Sequence, residues 1–347
     1  MVLNNKSETP QTKFMIMDFV KIACGFFISQ ALYVTAKLGI ADLLTTGAKS
    51  VDELAQITDT HSPSLYRLLR TLASNGIFTE IEPYRFALTP LAEYLQSDHT
   101  YSLRDLTLML CDEWLWCSWG ELFHSIKDGK SGLLHAYEID DTYWAYLTKN
   151  PESKKTFDKA MINIAKNFYE PVINVYDFSK FNKIVDVGGG EGKLIVSILK
   201  ANPHLFGILF DLPQTVAQAA DLLEREKVAN RCKTVGGDFL QSLPVDADLY
   251  IMSNVLIDWD DDKAVTILKN IRSSMSRESK LLVMDVIIPT GDVSHFSKWE
   301  DLFEVILGSG RSRTAAEFSR IFQRANFQWV RTLEIGILSS AMELVPA

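Results

Sequence analysis

The sequence predicts an α/β protein: a doubly wound, largely parallel sheet preceded by a mostly helical N-terminal half. Three observations carry this. From Asn182 onward, short apolar runs alternate with helical stretches, the order that βαβ units impose on a parallel sheet. At the head of that series, Ile184-Val185-Asp186-Val187-Gly188-Gly189-Gly190-Glu191-Gly192 reads as a strand, a glycine-dense turn and a helix start. Before Asn182, apolar residues recur at the three- and four-residue spacing of helices with one buried face. A chain of 347 residues has room for two domains with a large core.

In the N-terminal half, Lys13 to Leu44 predicts one or two apolar-faced helices ending near Gly47. Ser50, with Glu53 three residues on, has the spacing of a capping box. A turn is expected around Thr58 to Ser62. A second helix follows over Ser64 to Asn75, with Leu65, Leu68, Leu69 and Leu72 on one face, and Gly76 ends it. Ile77-Phe78-Thr79 and Arg85-Phe86-Ala87-Leu88 then read as a hairpin around Glu82-Pro83. Helix, turn, helix and hairpin make a winged-helix pattern. Its second helix carries only Arg67 and Arg70 as cations, so a dimerisation module is expected rather than a DNA reader. Met109 to Ile126 predicts an aromatic-rich helix with Trp114, Trp116, Trp119 and Phe123. Tyr143, Trp144 and Tyr146 follow, then Phe157 and Met161 on a further helix. Such stripes build core, and together they can also wall a pocket for a flat apolar ligand.

Strands are expected at Lys183–Val187, Leu205–Phe210, Cys232–Val235, Asp248–Met252 and Leu281–Ile287. Two more, Gln328–Leu333 and Leu338–Val345, have no helix between them and should pair as a hairpin. The change of texture near Asp177 to Asn182 sets the expected division: 1–100 an N-terminal winged-helix-like dimerisation domain, 101–180 a helical linker contributing to a substrate pocket, and 181–347 the sheet domain.

Composition excludes several classes. The net charge of −9 disfavours a nucleic-acid binder, which needs a basic face to displace counterions. The four cysteines, Cys24, Cys111, Cys117 and Cys232, show no CxxC spacing and no paired histidines, so neither a metal nor a disulfide framework is indicated. The most apolar run, Phe19 to Leu38, is broken by Lys21, Gln30 and Lys37, and Met1 to Lys13 is polar. No membrane association and a cytoplasmic location are expected.

The glycine turn separates further. A dinucleotide fingerprint would put a third glycine where Ile195 stands, and Gly192-Lys193-Leu194 lacks the Ser/Thr of a P-loop. Downstream, Phe210-Asp211-Leu212-Pro213 places an acid at a strand end, where it can accept from both hydroxyls of a ribose. Gly236-Gly237-Asp238-Phe239 places another, with a ring to pack on a base. With Asp186, three acids at successive strand ends point to an adenosyl ligand, S-adenosylmethionine.

At this point the chain resembles the class I S-adenosylmethionine-dependent O-methyltransferases of the caffeic acid and acetylserotonin type, including bacterial small-molecule methyltransferases. The resemblance runs from Leu38-Gly39-Ile40-Ala41-Asp42-Leu43-Leu44 through Asp186 to Gly192, Asp211-Leu212-Pro213, Gly237-Asp238-Phe239 and Asn254 to Asp262. It ends with Gly308 to Thr314 and Glu317-Phe318. It implies a Rossmann-like C-terminal domain, an N-terminal domain that forms an intertwined homodimer, and a small-molecule acceptor. It implies that Gly188 meets the cofactor at its methionine end and Asp211 at the ribose, with Gly190 and Leu212 also binding the cofactor. It also implies Asp238 and Phe239 at the adenine and Ser253, where the family often has lysine, at the adenine edge. Trp114, Trp116, Phe157, Met161, Ile257 and Phe303 are implied to face the acceptor.

The chemistry departs from the family. Ionising a phenol at neutral pH costs about 3–4 kcal/mol, and the family meets this with a histidine in a His-Asp-Trp motif. Here the motif reads Ile257-Asp258-Trp259. The family's Arg-Glu-Arg-Thr reads Arg311-Ser312-Arg313-Thr314, so Ser312 replaces an orienting glutamate, while Asp285 keeps the other acid in shortened form. Asp285 and Glu304 are the catalytic candidates; Glu304 stands at a position normally apolar in the family, where it is a displaced base or a substrate anchor, or else faces solvent or Arg311. His295 is the histidine closest in sequence to the site. The expected function is methylation of a small aromatic or polyketide-like acceptor, most simply at oxygen, without the usual histidine. The alternatives are a cofactor-binding relative redirected to decarboxylation, hydroxylation or a pericyclic step, and a non-catalytic winged-helix regulator.

Overall fold

A computed structural model describes residues 10–139, 143–243, 246–308, 310–336 and 338–347. Contacts divide the chain into two units, Met1–Asp112 and Glu113–Ala347.

In the first unit, helices Pro10–Ala23 and Gly25–Leu38 lead through the left-handed Gly39 into the short helix Ile40–Leu43. Helix Val51–Thr58 starts on the predicted capping box: the Ser50 hydroxyl accepts from Glu53 N–H, and the Glu53 carboxylate accepts from Ser50 N–H. Helix Ser62–Ala73 buries Leu65, Leu69 and Leu72. The hairpin pairs Phe78–Glu82 with Arg85–Leu88, and Lys49–Ser50 adds a third strand, too short to show a sequence pattern. These parts close around one apolar core containing Ile40, Leu54, Leu69, Phe78 and Phe86. The N-terminal helices leave Met15, Phe19, Ile22, Phe26 and Phe27 exposed, Phe19 by 72%. No single helix among the described residues is long and apolar enough to cross a membrane.

The second unit is built on seven strands: β1 Lys183–Val187, β2 Phe206–Asp211, β3 Cys232–Gly236, β4 Leu249–Ser253, β5 Lys280–Asp285, β6 Phe327–Ile335 and β7 Ser339–Pro346. Their order is β6-β7-β5-β4-β1-β2-β3. β1 to β5 run parallel, with Ile184 opposite both Gly207 and Leu249. β7 is antiparallel to β5 and β6, the expected terminal hairpin. Both sheet faces are buried, as a doubly wound sheet requires. Val185, Phe210, Tyr250, Met252 and Val283 pack on one side, and Ile184, Leu209, Ile251, Leu282 and Met284 on the other. This is a Rossmann-like sheet. The parallel strands all end at one edge, so Asp186, Asp211, Ser253 and Asp285, with Asp238 just past β3, gather there.

The aromatic-rich stretch is not one helix. It falls within three, Arg104–Leu110, Glu113–Gly120 and Leu122–Asp128, the last capped by left-handed Gly129. A two-residue parallel pairing of Ile287–Ile288 with Arg313–Thr314, absent from the sequence pattern, ties the segment after β5 to the segment before helix Ala315–Arg324.

Candidate active site

The glycine turn after β1 carries three left-handed residues: Gly188 (φ 72°), Gly190 (φ 58°) and Gly192 (φ 83°). At Gly188 an added Cβ would sit 2.8 Å from Val255 Cγ2, whereas at Gly190 it would meet nothing within 4 Å. The turn is thus packed on its inner side and bare at Gly190. Gly190 N–H donates to Asp211 Oδ2 at 2.9 Å, and Leu212 N–H donates to Asp211 Oδ1 at 2.7 Å. The ribose candidate is therefore fixed against the glycine turn before any ligand arrives. Burial raises the Asp211 carboxyl above its usual range, against the pull of those two amides.

Asp186 is fully buried, and neither carboxylate oxygen has a hydrogen-bond partner. Burial first, then the Asp211 charge, push it up to about 7. Asp238 turns one oxygen to Leu240 N–H (2.8 Å) and the other to Gln241 Nε2 (3.2 Å). The Phe239 ring stands edge-on to Trp259 with centroids 6.0 Å apart. Ser253 closes β4, and Asn254 beyond it is left-handed (φ 54°) and accepts from Tyr169 Oη at 2.8 Å. A bare glycine backbone, a preset strand-end carboxylate and a second acid beside an aromatic ring fit an adenosyl cofactor carrying a positive charge.

Ile257 lies in a single 3₁₀ turn, Leu256–Asp258, directly after β4, and is buried. Its carbonyl accepts from Arg311 N–H at 2.7 Å. Arg313, 0% exposed, donates to the carbonyls of Leu256 and Trp259, both at 2.7 Å, and to Asp261 at 2.9 Å. The turn is held by main chain and guanidinium, not by the side chain at 257.

Four carboxyls stand around this turn. Asp285 ends β5; Oδ1 accepts from Val286 N–H at 2.8 Å, and the Ile257 amide also faces the carboxyl. Asp258 accepts from Tyr143 Oη at 3.3 Å. Helix Ser297–Leu307 carries Glu300 and Glu304, one turn apart on one face. Glu304 is only 6% exposed. It neither faces solvent nor pairs with Arg311, which bridges to Asp261 and Glu317. Its carboxylate and the Ile257 carbonyl converge beside Gly310, where a side chain would collide with both.

Burial is the largest influence on all four. It combines with the Asp285 charge to raise Asp258 and Glu300 to about 7, and the Val286 amide and Arg313 only partly restrain Asp285, also at about 7. Glu304 is pushed well above the carboxylate range by burial and then by Asp258, Glu300 and Asp285. Asp258, Asp285 and Glu300 thus change protonation near neutrality, where a general base works best. Tyr143 and Tyr169 are held far above their ordinary value by burial and the same acids, so both stay protonated donors. Among the described residues, no group of histidines, cysteines and acids could hold a metal ion.

The aromatic candidates separate. Phe157 is buried and packs on Tyr143 (5.6 Å), beside Asp258, and on Trp144 (5.3 Å). Phe303, next to Glu304, stacks on Trp119 at 6.1 Å. Trp114 is buried and stacks on Tyr146 at 5.3 Å, and its Nε1 has no partner. Trp116 lies on the outer face of the same helix, and Met161 is half-buried. Ser312 is buried, gives its N–H to Asp301 at 3.0 Å and leaves its hydroxyl unpartnered. His295 is not in the carboxyl group; its ring bonds Ser297 Oγ (2.7 Å) at the start of the helix. Sequence reasoning missed Glu300 and Tyr169, and named Tyr143 only as part of an aromatic wall. The Glu300–Glu304 spacing on helix Ser297–Leu307 was the available signal for the first; nothing local marked Tyr169.

Comparison with known proteins follows this geometry. A model of the O-methyltransferase domain matches residues 119–328, and one of the O-methyltransferase dimerisation domain matches residues 20–98. The phenazine O-methyltransferase PhzM of Lysobacter antibioticus is 37% identical over 346 residues, covering 100% of both chains. The 8-amino-8-demethylriboflavin N,N-dimethyltransferase of Streptomyces davaonensis is 31% identical, covering 91% of each. The crystal structure of CalO1, a methyltransferase in calicheamicin biosynthesis with S-adenosylhomocysteine bound, aligns with a TM-score of 0.86 at 30% identity, over 96% of this chain and 98% of that one.

Proposed function

Because the chain belongs to the O-methyltransferase family, we propose that it methylates a flat aromatic natural product at oxygen, with a buried carboxylate in place of the usual histidine. The observation that carries this is Glu304, desolvated against the Ile257 carbonyl among Asp258, Asp285 and Glu300.

S-Adenosylmethionine, the family's cofactor, supplies when bound a methyl carbon on a sulfonium, open to in-line displacement. Asp211 and Leu212 would hold its ribose, Asp238, Phe239 and Ser253 its adenine, and Gly188 and Gly190 its methionine end. Phe157, Met161, Phe303 and Trp114 would orient the acceptor ring, and Trp116 would border the entrance. Glu304 takes the hydroxyl proton, assisted by Asp285. Burial and the neighbouring acids raise the Glu304 carboxyl, which narrows the pKa gap to a phenol relative to an ordinary carboxyl. The relatives support a flat acceptor, one being named for a phenazine and another for a flavin.

The exposed apolar face of helices Pro10–Ala23 and Gly25–Leu38, with the dimerisation-domain match, supports a homodimer. The three-part division at residues 100 and 180 belongs to the same proposal, and limited proteolysis tests it.

Incubation with methyl-labelled cofactor and a panel of phenols, acids and amines is the test. Label is expected on oxygen of an aromatic acceptor. Label confined to amines overturns the oxygen assignment, and label confined to carboxylic acids overturns the choice of a phenolic hydroxyl. Cofactor binding by calorimetry with no label transfer favours the second reading, a redirected non-methylating enzyme, which the vacated histidine position supports.

A further inference from the structure

One buried hydroxyl ties the cofactor side of the site to the Ile257 turn. Helix Pro151–Ile164 does not stop where its α-helical bonding stops. It runs on into a five-residue π-helical turn, Ala165–Tyr169, after which Glu170 N–H donates to Ala165 O, five residues back, at 2.9 Å. Such turns are rare and cluster at functional sites. This one is fastened on two sides. Ser197 Oγ, on the helix that follows the glycine turn, donates to Glu170 Oε1 at 3.0 Å. The Phe168 carbonyl lies so close to Gly336, in the β6–β7 turn, that a Cβ there would stand 2.8 Å from its oxygen. Between these anchors Tyr169 turns inward. It is 4% exposed, and its hydroxyl donates to Asn254 Oδ1 at 2.8 Å.

That partner matters to Asn254, which is left-handed (φ 54°) without being glycine. An asparagine adopts this conformation most readily when its short side chain bonds the backbone beside it. Here the side-chain oxygen is committed instead to a residue 85 positions away. The Asn254 N–H is held as well, by Met284 O on β5 at 3.0 Å. The position is the joint of the site. Ser253, immediately before it, closes β4 at the cofactor edge, and the turn Leu256–Asp258, with Ile257, begins just after it. A change of φ and ψ at Asn254 would rotate one of these against the other. The Arg313 bonds begin at the Leu256 carbonyl, so they hold the turn together and leave its angle to β4 to Asn254.

We propose that Tyr169 is a positioning residue for methyl transfer: its hydrogen bond locks Asn254 and so sets the cofactor edge at Ser253 against the turn that carries Ile257. This rests on the placement of the cofactor against Asp211 and Ser253, and it adds what keeps that edge in register with the acceptor side. Tyr169 acts through Asn254 and remains a protonated donor, held so by burial and the neighbouring acids.

The test is a double-variant cycle read by S-adenosylhomocysteine affinity, with Tm recorded beside it. Tyr169→Phe keeps the ring and removes the donor. Asn254→Gly keeps the left-handed backbone accessible without steric cost and removes the acceptor. Each is expected to weaken S-adenosylhomocysteine binding about threefold to tenfold by calorimetry, at a temperature where the proteins are folded, the scale of one hydrogen bond. The double variant is expected to bind no more weakly than the weaker single, because the same bond is lost once. A hydroxyl with a merely structural role would lower Tm and leave the affinity unchanged, and that result overturns the proposal. Losses that multiply in the double variant overturn it too. Asp211→Ala, measured alongside, separates the two readings. If it weakens binding while Tyr169→Phe does not, the proposal fails and the cofactor placement stands; wild-type affinity in both overturns both. Should Tyr169→Phe fail to fold, Asn254→Gly decides alone, and wild-type affinity there overturns the proposal.

Discussion

Glu304 occupies a helix position whose neighbours Phe303, Ile306 and Leu307 are apolar, and it is desolvated without a cation beside it. A carboxylate kept there at a cost in stability is best explained by work on a proton. Glu304→Gln keeps the shape and removes the acceptor. Turnover should fall about 10²-fold or more with KM little changed, measured by steady-state label transfer; an undiminished turnover would remove Glu304 from the chemistry. In the wild type, Glu304 must lose its proton before it can accept one, and burial with the surrounding acids raises it, so turnover should rise with pH above the ordinary carboxylate range. Asp211 poses a separate question. Its carboxylate is preset by Gly190 and Leu212 amides, so Asp211→Ala should weaken cofactor binding about tenfold or more by calorimetry whatever the acceptor.

At the scale of elements, the turn after β1 allows a graded test. Gly188 combines a left-handed backbone with a Cβ position 2.8 Å from Val255, while Gly190 has the left-handed backbone alone. Gly188→Ala should therefore lower Tm more than Gly190→Ala, whose cost is about 1–2 kcal/mol of backbone strain. Thermal melts showing the reverse order would contradict the packing described for the turn. The strands of this sheet were legible to within two residues: β1, β2, β4 and β5 are short buried apolar runs with few alternative readings, and the half-exposed β3 and β6 were marked by the turns that bound them. The gathering of Asp186, Asp211 and Asp238 at one edge was also legible, because strand ends in a parallel sheet share it. The pairing of Ile287–Ile288 with Arg313–Thr314 was not, since two residues show no period. The carboxyl group around Ile257 was half-legible. Asp285 and Glu304 stood out against a family pattern, whereas Glu300, Tyr143 and Tyr169 join it only through tertiary folding.

For the whole molecule, the buried acids link stability to pH. Asp186, Asp258, Asp285 and Glu300 have folded-state values near 7, above the roughly 4 of an unfolded chain. The folded state then holds more protons between those limits, so its stability is greatest below about 4 for these groups and is lost as pH rises through 7. Each proton so held contributes a slope of about 1.4 kcal/mol per pH unit. Thermal melts of the ligand-free protein should show Tm falling from pH 6 to pH 8, and a Tm rising over that interval would mean the acids are compensated. The apolar face left by the N-terminal helices makes a second prediction: Phe19→Glu with Ile22→Glu should shift sedimentation toward the monomer. The Arg313 guanidinium grips the carbonyls on either side of Ile257 and asks nothing of the residue between them. That position is an interchangeable socket in a rigid frame. The side chain there can be exchanged while the scaffold stays intact, so new chemistry at this place does not first require a repaired fold.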